Sequence, residues 1–313
     1  MKAIKVVDKK PVLADVSEPK PTGEGVKVKV VSSSICGSDI HMMEMGAFGD
    51  HIIGHEFAGI AEDGRAVAIE AISGCAQCPA CEEGDRLHCE AGLYVLGVLG
   101  DGGMAEYVSV PASNLVELPT GLDVRIASLV EPLAVAVHGL DRARVRDNDR
   151  VLVIGAGPIG LATGAALRSR GIPYDIVARH EQQKMAAEKL GASFNSDGHY
   201  DVVMDAAGSA DSLQQSVQMI KPKGRIGLVG AFWGPTALQP EFCIKEPELL
   251  PSTGYNCKSP NRNFEEAGAM LVENPDISEA LVTHRFPLDG VTEAFATAAD
   301  RAAGAIKVVF DVA

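Results

Sequence analysis

Four cysteines spaced as Cys75-x2-Cys78-x2-Cys81-x7-Cys89 constrain this chain more than any other feature, because one short loop must fold back to bring four thiols together. That spacing suits tetrahedral coordination of one zinc ion. A bacterial ferredoxin run shares the first three positions but places its fourth cysteine three residues later, followed by proline. Here seven residues intervene and Glu90 follows Cys89. Four protein ligands leave no open coordination position, so the predicted zinc is structural. Of the seven cysteines, five fall between Cys36 and Cys89, leaving Cys243 and Cys257 as ordinary thiols. The opening MKAIKVVDKK carries charges at Asp8, Lys9 and Lys10, where a secretory leader needs an unbroken apolar run. A cytoplasmic location follows as the expectation, and with it free or metal-bound thiols rather than disulfides.

At 313 residues the chain is long for one core, and its texture changes partway. The first part reads as short strands, with alternating apolar and charged positions at 26–31. A two-residue hairpin turn is predicted at Asp63-Gly64. From about residue 148, apolar strands alternate with amphipathic helices: strands at 150–154, 174–178, 202–205 and 225–229, helices at 161–169, 181–190 and 212–220. That order predicts a doubly wound parallel sheet, an α/β fold. After Gly254 the regularity fades, then a helix at 263–272 and a strand at 306–310 are expected, with this tail rejoining the first domain.

Two further motifs bear on chemistry. Cys36-Gly37-Ser38-Asp39-Ile40-His41, followed by Gly54-His55-Glu56, offers a thiol, an imidazole and a carboxylate, a mixed set that can leave a metal position open to substrate. Read alone, a lone cysteine and a lone histidine are packing residues as readily as ligands. Gly155-Ala156-Gly157-Pro158-Ile159-Gly160 directly follows a predicted strand and opens a helix, the context in which backbone amides hold a pyrophosphate.

Taken together and in this order, the three motifs resemble the zinc-containing medium-chain dehydrogenase/reductase family over essentially the whole chain. The segment VEPLAVAVH at 130–138 is similar to the polyol branch, which includes sorbitol and threonine dehydrogenases, and DGGMAEY at 101–107 matches a family stretch. The resemblance implies a GroES-like, β-rich catalytic domain at 1–133 and 257–313, plus a dinucleotide-binding (Rossmann) domain at 134–256. It implies that Cys36 and His55 bind a catalytic zinc, with Glu56 and Glu131 as carboxylate candidates, one of them acting through water. Ser38 would relay the alcohol proton and His41 pass it towards solvent. Asp39 would orient a zinc-binding imidazole, a local turn cap being the alternative. Ala207, Val229, Gly230 and Lys307 are expected beside the cofactor, with Gly155, Gly157, Pro158, Ile159 and Gly160. One departure from the family is a short stretch between Glu56 and Cys75, where the Asp63-Gly64 turn replaces a longer excursion.

An NAD-selective fold normally offers an acidic residue at the end of its second strand. Here that position is Ala178, followed by Arg179 and His180, with Lys184 one turn on, a basic setting suited to a 2′-phosphate. NADP is therefore favoured over NAD, with Asp175 and Glu181 as the acidic alternatives. The formal net charge of -14 and the absence of a basic run argue against nucleic acid and anionic membrane surfaces as partners. The expectation is a homo-oligomer, dimer or tetramer, with two zinc ions per chain and a small alcohol or ketone as substrate. A zinc-free quinone or enoyl reductase and a non-catalytic zinc-binding interaction protein are the competing readings.

Overall fold

The computed structural model describes residues 1–195, 198–300 and 303–313. Two units emerge: Met1–Glu131, Tyr255–Glu273 and Val282–Ala313 form the first, and Pro132–Gly254 with Asn274–Leu281 the second.

The first unit is organised by the strand Gly25–Ser34 within a seven-stranded sheet. Glu56–Ala61 pairs antiparallel along one edge of this strand; along the other, Tyr107–Pro111 takes its first half and Lys307–Asp311 its end. Ala66–Ile69 and Leu115–Glu117 extend the sheet, and Val282–Pro287 runs parallel to Lys307–Asp311. The alternation in 26–31 works as expected: Val28 and Val30 enter a core with Phe57, Ile69 and Val108, while Lys29 faces out. Past Val31 the pattern changes character. Ser32, Ser33 and Ser34 are all fully buried, and buried hydroxyls need partners. Ser32 Oγ donates to the Val124 carbonyl at 2.7 Å, Ser33 Oγ to the Glu56 carbonyl at 3.3 Å, and Ser34 Oγ to the Glu56 carboxylate.

The hairpin after Glu56–Ala61 differs from the expected two-residue turn. Ala61 N–H donates to the Arg65 carbonyl at 2.9 Å, so the loop is Glu62, Asp63 and Gly64. Gly64 alone takes a positive φ, +87°, while Asp63 accepts from the Arg65 N–H at 3.1 Å. A single left-handed glycine closes a three-residue hairpin loop, whereas the two-residue type I′ turn that suits Asp-Gly needs two such positions.

Five parallel strands make the second unit, in the order Tyr174–Val177, Val151–Ile154, Tyr200–Asp205, Ile220–Leu228, Glu248–Pro251. Leu152, Ile154, Val203 and Ile226 fill its core with Leu213 and Val217 of the helix Ala210–Met219. Where the glycine motif turns into the helix Pro158–Ser169, a Cβ on Gly160 would lie 1.8 Å from the Gly155 carbonyl oxygen. Only glycine lets that helix start so close to the strand it follows.

The tail divides between the units. Arg168 grips Asp276 with two hydrogen bonds, 2.6 and 2.9 Å, and Lys189 pairs with Glu279, so Asn274–Leu281 joins the second unit rather than the first. The weakly patterned stretch beyond holds a strand, Val282–Pro287, and a helix, Val291–Ala299, which buries Val291, Ala294 and Phe295 against Ile4 and Phe310. Among the described residues, no helix is long and apolar enough to cross a membrane.

Candidate metal and cofactor sites

Cys75, Cys78, Cys81 and Cys89 bring their sulfurs within 4.8 Å of one another. A short helix, Pro79–Glu82, and a 3-10 turn, Arg86–His88, fold the loop, and Gly74 is required because a Cβ there would stand 2.5 Å from Cys81 Sγ. Burial and the neighbouring thiols push Cys81 up to about 12, whereas N–H groups of Cys75 and Ala91 hold Cys89 below the usual thiol value. Thiols that compete for ionisation at such spacing are matched to a divalent cation, and the donor set fits zinc.

A second set of charges anchors this loop. Glu70 is fully buried, with Arg262 forked onto both its oxygens at 2.7 Å and Arg86 Nη1 at 3.1 Å. Arg86 lies between Cys81 and Cys89, so the loop is tied to the segment after Gly254 through one carboxylate. The Cys257 N–H adds a bond to the Gly84 carbonyl at 2.9 Å. Cys257 itself is buried, its thiol pushed up by desolvation; Cys243 is exposed.

The other metal candidate is assembled from separate elements. Cys36 sits at the N-terminus of the helix Gly37–Met45, and His55 and Glu56 lie where the strand Glu56–Ala61 begins. Ligand atoms of Cys36, His55 and Glu56 all fall within 4.8 Å of one another. Asp39 caps the helix start and lies beside His55. Its Oδ2 accepts from the Cys36 N–H at 2.9 Å, and its Oδ1 faces His55 Nδ1 at 3.3 Å. That contact is a charge pairing without good hydrogen-bond geometry, since both atoms are buried and otherwise unbonded. Burial disfavours the protonated imidazole, yet Asp39 and Cys36 outweigh it and hold His55 well above the usual histidine value. With Nδ1 turned to Asp39, the second ring nitrogen is left for a ligand role. A thiol, an imidazole and a carboxylate at this spacing fit zinc.

Glu131 stands in the same neighbourhood but outside the group of three. Desolvation pushes it up to about 8, with Glu56 and Asp39 adding to the shift and His55 and Lys307 opposing it. Lys307 belongs to the same neighbourhood. Its ammonium turns inward, 2.8 Å from each oxygen of Glu56 and 3.2 Å from the Ile35 carbonyl, and the residue is 2% exposed. A buried ammonium needs a paired carboxylate, and Glu56 supplies it to Lys307 at the start of the strand Lys307–Asp311. Ser34 completes the enclosure of Glu56. Neither contact leaves a local trace in the sequence, apart from three consecutive serines at the end of a strand that otherwise alternates valine and lysine. Ser38 is half-buried and His41 exposed on the same helix.

In the second unit, the glycine motif lies at the end of Val151–Ile154, with Gly155 at φ +97° and Pro158 in the first turn of its helix. A Cβ on Gly157 would meet nothing within 4 Å. The protein does not need glycine there for its own packing; the open space beside unpaired first-turn amides is what a pyrophosphate occupies. Ala207 abuts Gly155, and Val229 and Gly230 follow the neighbouring strand. Ala178 and the exposed Arg179 follow Tyr174–Val177; His180 and Lys184 lie at the start of the helix Glu181–Lys189, where Lys184 is 3.5 Å from Glu181. Asp175 is committed elsewhere, accepting from Tyr200 Oη at 2.7 Å and facing Arg150.

Residues 22–120 match the family described as the alcohol dehydrogenase GroES-like domain, and residues 124–312 the glucose dehydrogenase C-terminus. An L-arabinitol 4-dehydrogenase of Talaromyces emersonii is 33% identical over 97% of this chain and 89% of its own. An alcohol dehydrogenase of Escherichia coli CFT073, solved with NADH, superposes with TM-score 0.88 at 28% identity, covering 100% of this chain and 99% of that one. A zinc-binding dehydrogenase of Sinorhizobium meliloti 1021, solved with NADP, superposes with TM-score 0.86 at 27% identity over 99% of both chains.

Proposed function

Because this chain belongs to the polyol branch of the zinc-containing medium-chain dehydrogenases and is an NAD(P)-dependent alcohol dehydrogenase, we propose that it interconverts a sugar-like secondary (or primary) alcohol and its carbonyl partner at the Cys36 site, with NADP preferred. The observation that carries this reading is the convergence of Cys36, His55 and Glu56. Zinc held there supplies Lewis acidity towards the substrate oxygen, and the nicotinamide carries the hydride.

Each protein group has a distinct task. Cys36 and His55 hold the metal, and Asp39 fixes the imidazole. Ser38 takes the alcohol proton and His41 passes it on, a route supported by the change from half-buried to exposed along one helix. Glu56 is the nearer carboxylate candidate but is enclosed by Lys307 and Ser34, while Glu131 is the alternative; metal content of Glu56→Gln and Glu131→Gln assigns them. The glycine motif holds the pyrophosphate. Arg179, with His180 and Lys184, faces the 2′-phosphate, while Asp175 is engaged by Tyr200 and Glu181 by Lys184.

Four thiols and a three-ligand set support two zinc ions per chain. The test is turnover on a panel of polyols, cyclitols and their ketones with both cofactors, before and after chelation. The expected result is polyol turnover preferring NADP, lost with the metal and restored by zinc. Full turnover without metal at Cys36 identifies the zinc-free reductase chemistry instead; a chain that binds cofactor but turns nothing over points to the interaction protein. Sedimentation of the purified enzyme checks the further proposal of a homo-oligomer, dimer or tetramer.

A further inference from the structure

Asp205 ends the strand Tyr200–Asp205 and is fully buried, yet among the described residues no charged side chain pairs with it. Its partners are all neutral. Oδ1 accepts from the Ala207 N–H at 3.0 Å and the Gly208 N–H at 3.1 Å; Oδ2 accepts from Ser212 Oγ at 2.9 Å. Burial raises its pKa, while the bonds from Gly208, Ser212 and Ala207 pull it back. A buried carboxylate satisfied by backbone amides fixes the backbone that carries them.

That backbone touches two of the loops assigned to the cofactor, the glycine motif and the 229–231 loop. Ala207 packs on the glycine motif so closely that a Cβ on Gly155 would lie 3.0 Å from the Ala207 Cβ. The Asp205 carbonyl accepts from the N–H groups of Val229, at 3.0 Å, and Gly230, at 2.8 Å. A Cβ on Gly230 would stand 2.5 Å from the Gly208 nitrogen, and one on Gly208, at φ +63°, 2.4 Å from the Ala231 oxygen. Ser212 closes the network by accepting from the Ser209 N–H at 2.9 Å, which caps the helix Ala210–Met219. Thus the ends of three adjacent strands meet at one residue, whose carboxylate holds the 207–208 backbone and whose carbonyl holds the 229–230 backbone.

We propose that Asp205 is a positioning residue for the nicotinamide cofactor: it sets the spacing between the glycine motif, the 206–209 loop and the 229–231 loop without touching the dinucleotide. The proposal rests on the placement of the cofactor at these loops. Because the residue acts on the frame rather than on one end of the ligand, both cofactors depend on it equally.

The test measures NADH and NADPH dissociation constants, cofactor KM, kcat and melting temperature in the full-length enzyme. Asp205→Ala is expected to raise both dissociation constants by about 10-fold to 100-fold, the range of one or two lost charge-assisted bonds, with KM rising more than kcat falls. Asp205→Asn keeps an oxygen facing both N–H groups and is expected to stay within about 3-fold of wild type, a rescue that reports geometry rather than charge. Unchanged dissociation constants in Asp205→Ala, even with a lowered melting temperature, overturn the proposal. If Asp205→Ala does not fold, Ser212→Ala decides: a several-fold rise for both cofactors supports the role, and no change overturns it. Gly157→Val reports the placement separately, since its side chain enters open space in the fold. Loss of binding in Gly157→Val with normal binding in Asp205→Ala sinks the role of Asp205 alone; normal binding in both sinks the placement and the role together.

Discussion

The two metal candidates sit in the same unit and are built in opposite ways. The four-cysteine loop takes all its ligands from one short segment and is anchored to the rest through a buried carboxylate, Glu70, between Arg86 and Arg262, and through the Cys257 N–H on the Gly84 carbonyl. The Cys36 site takes ligands from a helix start and a strand start, then encloses Glu56 with Ser34 and with Lys307, 251 residues away in the chain. A site made from one loop depends on its metal to keep its shape. One made from a finished sheet has its shape before any metal arrives, and removing Cys36 there removes chemistry rather than structure, whereas Glu56 also neutralises the buried Lys307.

The largest effect expected from this difference is in Cys81→Ser. Structural zinc sites contribute on the order of 10 kcal/mol to small domains, so this variant should fail to fold or should melt far below wild type. A Cys81→Ser protein with the wild-type melting curve breaks the comparison outright. At the other site, Cys36→Ala should keep the fold and lose one of the proposed two metal equivalents. Ser38→Ala should keep both metals and the cofactor while losing about 10²-fold to 10⁴-fold in turnover. Wild-type turnover in Ser38→Ala would falsify the proton relay.

A smaller effect sharpens the contrast by testing the anchor instead of the ligands. Arg262→Ala leaves Glu70 buried with only Arg86 as its charged partner and should cost about 3 kcal/mol of stability, as broken buried pairs do. Thermal denaturation measures it. Turnover below the transition should barely change, and a large loss of kcat would mean that the anchor also serves the reaction. The smallest effect lies in the other unit. Arg179→Ala should weaken NADP binding by about 1.5–3 kcal/mol, roughly one to two decades, and leave NAD unaffected. Equal losses for both cofactors make Arg179 structural.

What could be read in the sequence follows the same division. The cysteine loop and the glycine motif are legible because each packs its whole chemistry into one run of residues with fixed spacing. Cys36, His55 and Glu56 acquire meaning through the family resemblance, since a thiol and an imidazole separated by a loop have no spacing rule of their own. The pairing of Lys307 with Glu56 was not legible. A lysine opening a β-strand looks like a solvated end, and only the antiparallel neighbour Gly25–Ser34 brings it beneath the site. Asp205 was equally silent, because a carboxylate held by backbone N–H groups and one hydroxyl needs no charged partner to mark it. Val282–Pro287 escaped for a simpler reason: its half-buried and exposed residues alternate with no fully buried position, as an edge strand allows.

The path of the chain between its units has a consequence for exchange of parts. It passes from one to the other at 131/132, 254/255, 273/274 and 281/282, and the last visit is the short piece Asn274–Leu281, stapled by Arg168 to Asp276. No single cut therefore yields a portable cofactor cassette. A chimera that grafts 132–254 from a relative also inherits a foreign partner for Asn274–Leu281, and must carry those eight positions across to keep that staple. Recombination within such a lineage is expected to favour joints that move both pieces at once, so that cofactor preference drifts by point substitution near Arg179 more readily than by swapping the unit whole.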